Sequence, residues 1–268
     1  MRRGSAGLYR PHACIAALAV VGTLAFTARA DAEANAAPGF DAGSYPAPLA
    51  QATAFSTMHP GGSLAPWRFV DIALGKRHTR YELVDDAGAT VLHAIADNAA
   101  SALAYPMRVE PRAAPVIAWR WRIAGLIDDA DPRQAAREDA PARIVLEFDG
   151  DTKKLPLVER GIYGIARRVA GRDLPYATLM YIWSNHERIG TVIPNPRTRR
   201  IQMIVASSGS DGVGAWQSLA RNLRADFLRA FGEEPGMLTA IGVLTDSDNT
   251  DAHAEAWYGD IQLERAAH

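Results

Sequence analysis

From Trp67 onward the chain alternates short runs of β-branched, aromatic and aliphatic residues with Gly, Asp, Asn and Pro. That spacing is the signature of strands divided by turns. The runs are Trp67–Ile72, Thr79–Val84, Thr90–Ala96, Met107–Val109, Val116–Ile123, Arg143–Phe148, Thr178–Trp183, Ile201–Ala206, Met237–Thr245 and Glu255–Leu263. Asp85-Asp86-Ala87-Gly88 between the second and third runs suits a tight hairpin, because Gly accepts the positive φ that such turns demand. Helical periodicity is clear over Ser218–Phe231, where Leu223, Phe227, Leu228 and Phe231 recur at helical spacing and Gly232 follows as a stop. The acidic, Ala-rich segment Ile127–Pro141 reads as a surface loop with a helical turn.

Strands in this number with one helix late in the chain predict a mainly β, single-domain β-sandwich of the jelly-roll kind, two sheets burying their inner faces against each other. Residues 63–266 form that domain in this reading.

The amino end has another pattern. Arg2, Arg3 and Arg10 precede the apolar stretch Cys14–Phe26, and small residues follow at Ala28, Ala30 and Ala32. This is the order of a secretory signal, with cleavage after Ala30 or Ala32. The apolar stretch falls short of the roughly 20 residues a membrane-spanning helix needs, so no stable span is expected after cleavage. Residues 1–30 are thus read as a signal peptide and 31–62 as a flexible Ala, Pro and Gly-rich segment. The product is expected in the periplasm or outside the cell.

Cleavage changes the charge and thiol content. The formal charge of −1 becomes −5, since Arg2, Arg3, Arg10 and Arg29 leave with no acidic residue. A mildly acidic chain argues against a nucleic-acid partner, which requires a concentrated basic face. The run Arg197, Arg199, Arg200 is read as a solvated loop. Cys14 is the one cysteine and leaves with the signal, so disulfides, thiolate metal sites and cysteine nucleophiles are not expected in the mature chain.

Alternation assigns faces to the candidate chemistry. In VIAWRWRI (Val116–Ile123), Trp119, Trp121 and Ile123 share one face and Arg120 and Arg122 the other. The tryptophans suit the core. The two guanidiniums either form a site for carboxylates, sulfates or hydroxyl-rich sugars, or pair with acids on neighbouring strands. RIVLEF (Arg143–Phe148) sets Arg143 and Glu147 on one face, with Glu147 a candidate partner for one of those arginines. Tyr181 and Trp183 are candidates either for stacking on a sugar ring or for ordinary core.

Asp246-Ser-Asp248-Asn249-Thr-Asp251 concentrates oxygen ligands after an apolar run. An EF-hand fails, because its sixth and twelfth positions hold Asp251 and Trp257 in place of Gly and a bidentate acid. A different calcium loop, an active-site loop and a set of Asx turns remain open. No cofactor other than such a calcium ion is expected. No nucleophile elbow, phosphate loop or zincin histidine pair is present.

WRWRI at 119–123, ARIVLEF, MYIWSN at 180–185, the helix ending in RAFGEEP and GVLTDSDNTDAHAEAWYGDI at 242–261 together resemble the bacterial family of unknown function numbered 3047. The resemblance runs over roughly Trp67–Glu264. It implies an exported β-sandwich similar in shape to galactose-binding and carbohydrate-binding modules, and no defined activity.

The resulting expectation is a binding or accessory protein for a glycan or other polar envelope ligand. Its contacts would come from Arg120, Arg122, Arg143, Glu147, Tyr181, Trp183, Asp246, Asp248, Asn249 and Trp257. Two alternatives stay open. One is a polysaccharide hydrolase or lyase drawing on Glu147, Asp248, Glu255, Tyr181 and His186. The other is a structural envelope protein without ligand.

Overall fold

The computed structural model describes residues 52–72, 75–156, 159–161 and 174–264. The expected signal peptide and the first part of the expected flexible segment lie outside the described residues.

Twelve strands are described: β1 Arg68–Asp71, β2 Arg80–Asp86, β3 Ala89–Asp97, β4 Ala100–Val109, β5 Val116–Ile123, β6 Ala140–Phe148, β7 Ala177–Ser184, β8 Val192–Pro194, β9 Ile201–Ser208, β10 Gln217–Asn222, β11 Leu238–Asp246 and β12 His253–Glu264. Helix α1 spans Leu223–Phe231. The strands form a seven-stranded sheet in the order β1-β4-β11-β6-β7-β9-β8 and a five-stranded sheet in the order β10-β5-β12-β3-β2. Among the described residues the named strands pair antiparallel except β7 with β9, and one isolated parallel bridge joins Arg77 and Ala99.

The main core lies between the sheets. Trp119, Trp121 and Ile123 from β5 and Tyr258 from β12 meet Ile144, Leu146 and Phe148 from β6 and Tyr181 and Trp183 from β7. Trp119 stacks on Tyr181, and Trp121 lies against Trp183. A second apolar cluster, including Val145, Met180, Ile182, Met203 and Val205, lies on the outer side of the seven-stranded sheet. Strands β6 and β7 are therefore buried on both faces, which is why β7 reads as a nearly continuous apolar run, while β6 also buries Arg143 and Glu147.

The hairpin at Ala87-Gly88 forms as expected, with φ of 55° and 86° and Asp86 opposite Ala89. The helix differs from expectation. Gln217–Asn222 pairs with β5 as an edge strand, because its alternate residues Leu219 and Arg221 can turn inward there. Helix α1 starts only after Asn222, whose side chain accepts from the Ala225 N–H at 2.9 Å, and stops at Gly232 in the left-handed conformation. Residues 159–161 are helical as well.

Strand β4 begins at Ala100, seven residues before the expected run. Its alanines lack a strand signal but fit between two neighbours, and Pro106 sits where the β11 register shifts. The segment Ile127–Pro141 is anchored rather than simply exposed, with Ile127, Ala130, Glu138 and Asp139 buried. The core also starts earlier than residue 63: Phe55 is buried and stacks on Trp67.

Candidate functional site

Strand register builds a row of polar and aromatic side chains across the outer face of the five-stranded sheet. Arg122 of β5 stands opposite Trp257 of β12, Trp257 opposite His93 of β3, and His93 opposite Glu82 of β2. Trp216 enters β10 beside them, since the next residue, Gln217, pairs with Trp121.

The side chains stack in that order. The Arg122 guanidinium lies 4.4 Å from the Trp257 ring centre and 5.0 Å from that of Trp216, so an indole covers each side of it. His93 stacks on Trp257 at 4.6 Å with 5° between the rings. Arg120 lies 4.6 Å from the Trp216 ring centre. Cation and indole alternate, the arrangement that the ring quadrupole favours.

Carboxylates hold this column at several points. Asp86 accepts from Arg122 Nη2 at 3.0 Å and from the Trp216 indole N–H at 2.7 Å. Those donors, the indole first, hold the Asp86 carboxyl below the usual aspartate range. Glu255 meets His93 Nε2 at 2.6 Å and Glu82 meets Nδ1 at 3.3 Å. Arg120 differs from Arg122: it makes no hydrogen bond or ion pair among the described residues. Its stem packs against the Cα of Gly259, which lies where the β12 register with β5 shifts.

Of the ten expected ligand contacts, three converge here: Arg120, Arg122 and Trp257. Asp86, not Glu147, is the partner of Arg122. Glu147 is buried on β6 in the other sheet, on the side away from the inter-sheet core. Tyr181 and Trp183 are 0% and 1% exposed, so neither offers a face to a sugar. The Tyr181 hydroxyl donates to Asp226 at 3.0 Å, and the Trp183 indole N–H donates to the Gly209 carbonyl at 3.1 Å. Sequence reading missed Trp216, His93, Glu82 and Asp86. Only the register between strands distant in sequence would have gathered them.

Arg143, Asp246, Asp248 and Asn249 form a separate, largely buried network. Arg143 donates from Nε to Asp246 Oδ1 at 2.9 Å, from Nη2 to Asp246 Oδ2 at 3.0 Å and to the Glu138 carbonyl at 2.8 Å. Asp139 accepts from the backbone N–H groups of Asn249 and Thr250 and from both their side chains. Arg197 bonds Glu138 and Asn249 and Arg200 reaches Glu233, so these two are paired, while Arg199 is exposed as the solvated-loop reading expected. Burial, reinforced by Asp139 and Asp248 and opposed by Arg143, pushes the Asp246 carboxyl up to about 8.

One oxygen each of Asp139, Asp246 and Asp248 lies within 4.8 Å of the others, the spacing of a cation site. The donor set does not fit calcium. Both Asp246 oxygens face Arg143, Asp139 is filled by the loop amides and hydroxyl, and Asp248 is paired with Lys76. A hard cation wanting six to eight oxygens would have to displace two side-chain cations. The loop is closest to the Asx-turn alternative, tying β11 and β12 to the start of β6.

Residues raised for catalysis do not converge. Glu147 belongs to the outer side of the seven-stranded sheet and Glu255 to the outer face of the five-stranded one, with two packed sheets about 10 Å apart between them. His186 is exposed in the turn after β7. Among the described residues no helix is long and apolar enough to cross a membrane.

No curated protein matches the sequence. Among solved structures, the K2 cleaved adhesin domain of Lys-gingipain is similar over 79% of this chain and 97% of its own, at 10% identity and a TM-score of 0.36. The cellulose-induced protein Cip1 is similar over 75% and 92%, at 13% identity and a TM-score of 0.31. A family model matches residues 65–262, from the loop before β1 almost to the end of β12. The chain therefore belongs to the family described as protein of unknown function DUF3047.

Proposed function

We propose that this chain is an exported binding module that takes an anionic, hydroxyl-rich ligand, an acidic glycan, on the outer face of its five-stranded sheet. The observation that carries the reading is Arg120. It is half-buried beside an indole and makes no hydrogen bond or ion pair among the described residues, feeling Asp86 only at longer range, while its neighbour Arg122 is paired directly with that carboxylate. A guanidinium held this way is pre-positioned to accept a ligand carboxylate or sulfate in a two-pronged hydrogen bond. Arg122 acts mainly as a spacer between indoles. The Trp257 faces are taken by Arg122 and His93, so ligand stacking there is not part of the proposal. The amino-terminal signal pattern supports a ligand met outside the cytoplasm.

Affinity electrophoresis of the purified protein in gels containing polygalacturonate tests this. Retardation is expected, weakening as salt is raised. Losing a charged hydrogen bond, about 1.5–3 kcal/mol, should weaken retention roughly tenfold or more in Arg120→Ala. Unchanged retention of that variant, or no retardation of the native protein, rejects the proposal.

A further inference from the structure

The row on the five-stranded sheet ends at Glu82 on β2, and Glu82 is also one wall of an open pocket of about 530 Å3. The pocket sits where the edges of the two sheets come together. Phe69 enters from β1, the edge of the seven-stranded sheet, and Tyr81 and Glu82 from β2, the edge of the five-stranded one. The loop Gly61–Ala65 closes a third side and is tied to β2 by the Gly61 N–H donating to the Leu83 carbonyl at 2.8 Å.

Phe69 is 55% exposed, the most exposed aromatic side chain among the described residues. Tyr81 meets its ring edge-on at 5.9 Å, and the Tyr81 hydroxyl is committed to the Ser101 carbonyl at 2.7 Å. The Tyr81 end of the pocket is thereby fixed. Glu82 uses Oε1 toward His93, and its other oxygen has no hydrogen-bond partner among the described residues. The lining thus offers an aromatic surface, one carboxylate acceptor and no positive charge.

We propose that this pocket is a second subsite of the same binding surface, taking an uncharged pyranose whose apolar C–H face lies on Phe69 and whose hydroxyl donates to Glu82. This rests on the binding-module reading and deepens it. A uronate is disfavoured here by the Glu82 charge, so the two subsites select different sugars. From β5, which carries Arg120, to Glu82 on β2 the face crosses three strand spacings, about 14 Å, with Arg120 offset from the row by two residues along its strand. A ligand reaching both ends is an oligosaccharide with acidic and neutral units.

The test is affinity electrophoresis of the intact protein in separate gels of polygalacturonate and of three neutral polymers, a β-glucan, a xylan and a galactomannan. The native protein is expected to be retarded by at least one neutral polymer. Phe69→Ala should lose that retardation and keep the polygalacturonate response, Phe69→Trp should keep both, and Arg120→Ala should lose only the polygalacturonate response. An unchanged thermal midpoint establishes that Phe69→Ala is folded. Should it be unfolded, Glu82→Gln takes its place, with the neutral response expected to weaken. No retardation by any neutral polymer, or the same neutral retardation in the native protein and the pocket variant, overturns the second subsite. Retention by polygalacturonate alone would leave the Arg120 reading standing, and retention by a neutral polymer alone would leave the pocket and remove Arg120.

Discussion

Arg143 and Asp246 face each other in a two-pronged ion pair, Nε to Oδ1 at 2.9 Å and Nη2 to Oδ2 at 3.0 Å, with the arginine side chain 1% exposed. The pair joins adjacent strands β6 and β11 of the seven-stranded sheet. Arg143 is surrounded by Asp246, Glu138 and the sulfur atoms of Met180 and Met203 and is closed off from bulk solvent.

Removing this cation should cost much of the stability of the domain. Above about pH 8, where Asp246 is ionised, Arg143→Met leaves Asp246 and Glu138 buried without their nearest charge, a change of about 3–5 kcal/mol. Urea unfolding measures it. A loss below about 1 kcal/mol would show that the pair is not what holds β6 to β11. Polygalacturonate binding, on the other sheet, should survive wherever the variant is folded.

The same network fixes a pH dependence. In the folded chain Asp246 is pushed from the ordinary 3.8 up to about 8, and burial raises Glu138 in the same direction. The folded state therefore binds more protons than the unfolded one between about pH 4 and about pH 8. The stabilisation is fully present below the lower limit and is lost as pH rises through the upper one. Asp86 and Asp97, shifted downward, act below that window. Thermal midpoints should fall across the window in the native protein and fall less in Asp246→Asn. An equal slope in both would exclude Asp246 as the cause.

The residues that alternate on one strand were legible from sequence. Arg120 and Arg122 against Trp119 and Trp121 required only the period of two, and the hairpin at Ala87-Gly88 required only its glycine. What stayed hidden depends on contacts distant in sequence. Trp216 and Trp257 are brought to Arg122 by two different pairings. Ser218–Asn222 carries a helical pattern that edge pairing overrides. Asp246 looked like a ligand for calcium because sequence cannot show that Arg143 already fills it. Tyr181 and Trp183 share a strand with aliphatic residues on both faces, so alternation gave no inside and outside to choose between.

Gly259 supplies the sharpest test of whether the position of Arg120, rather than its charge alone, matters. A Cβ built at Gly259 would overlap the Cγ and Nε of Arg120. The obstacle is a side chain and not backbone, so Gly259→Ala should drive Arg120 into another rotamer and move the guanidinium off its seat beside Trp216. The net charge of the face is unchanged. If binding depends on Arg120 being pre-positioned, Gly259→Ala should weaken retention on polygalacturonate nearly as much as Arg120→Ala, with a thermal midpoint close to native. If a diffuse positive charge is all that the ligand requires, Gly259→Ala should bind like the native protein while Arg120→Ala does not. Combining the two substitutions discriminates further: two changes acting through one side chain should not add, whereas additive losses would mean that Gly259 contributes to binding by a route other than Arg120.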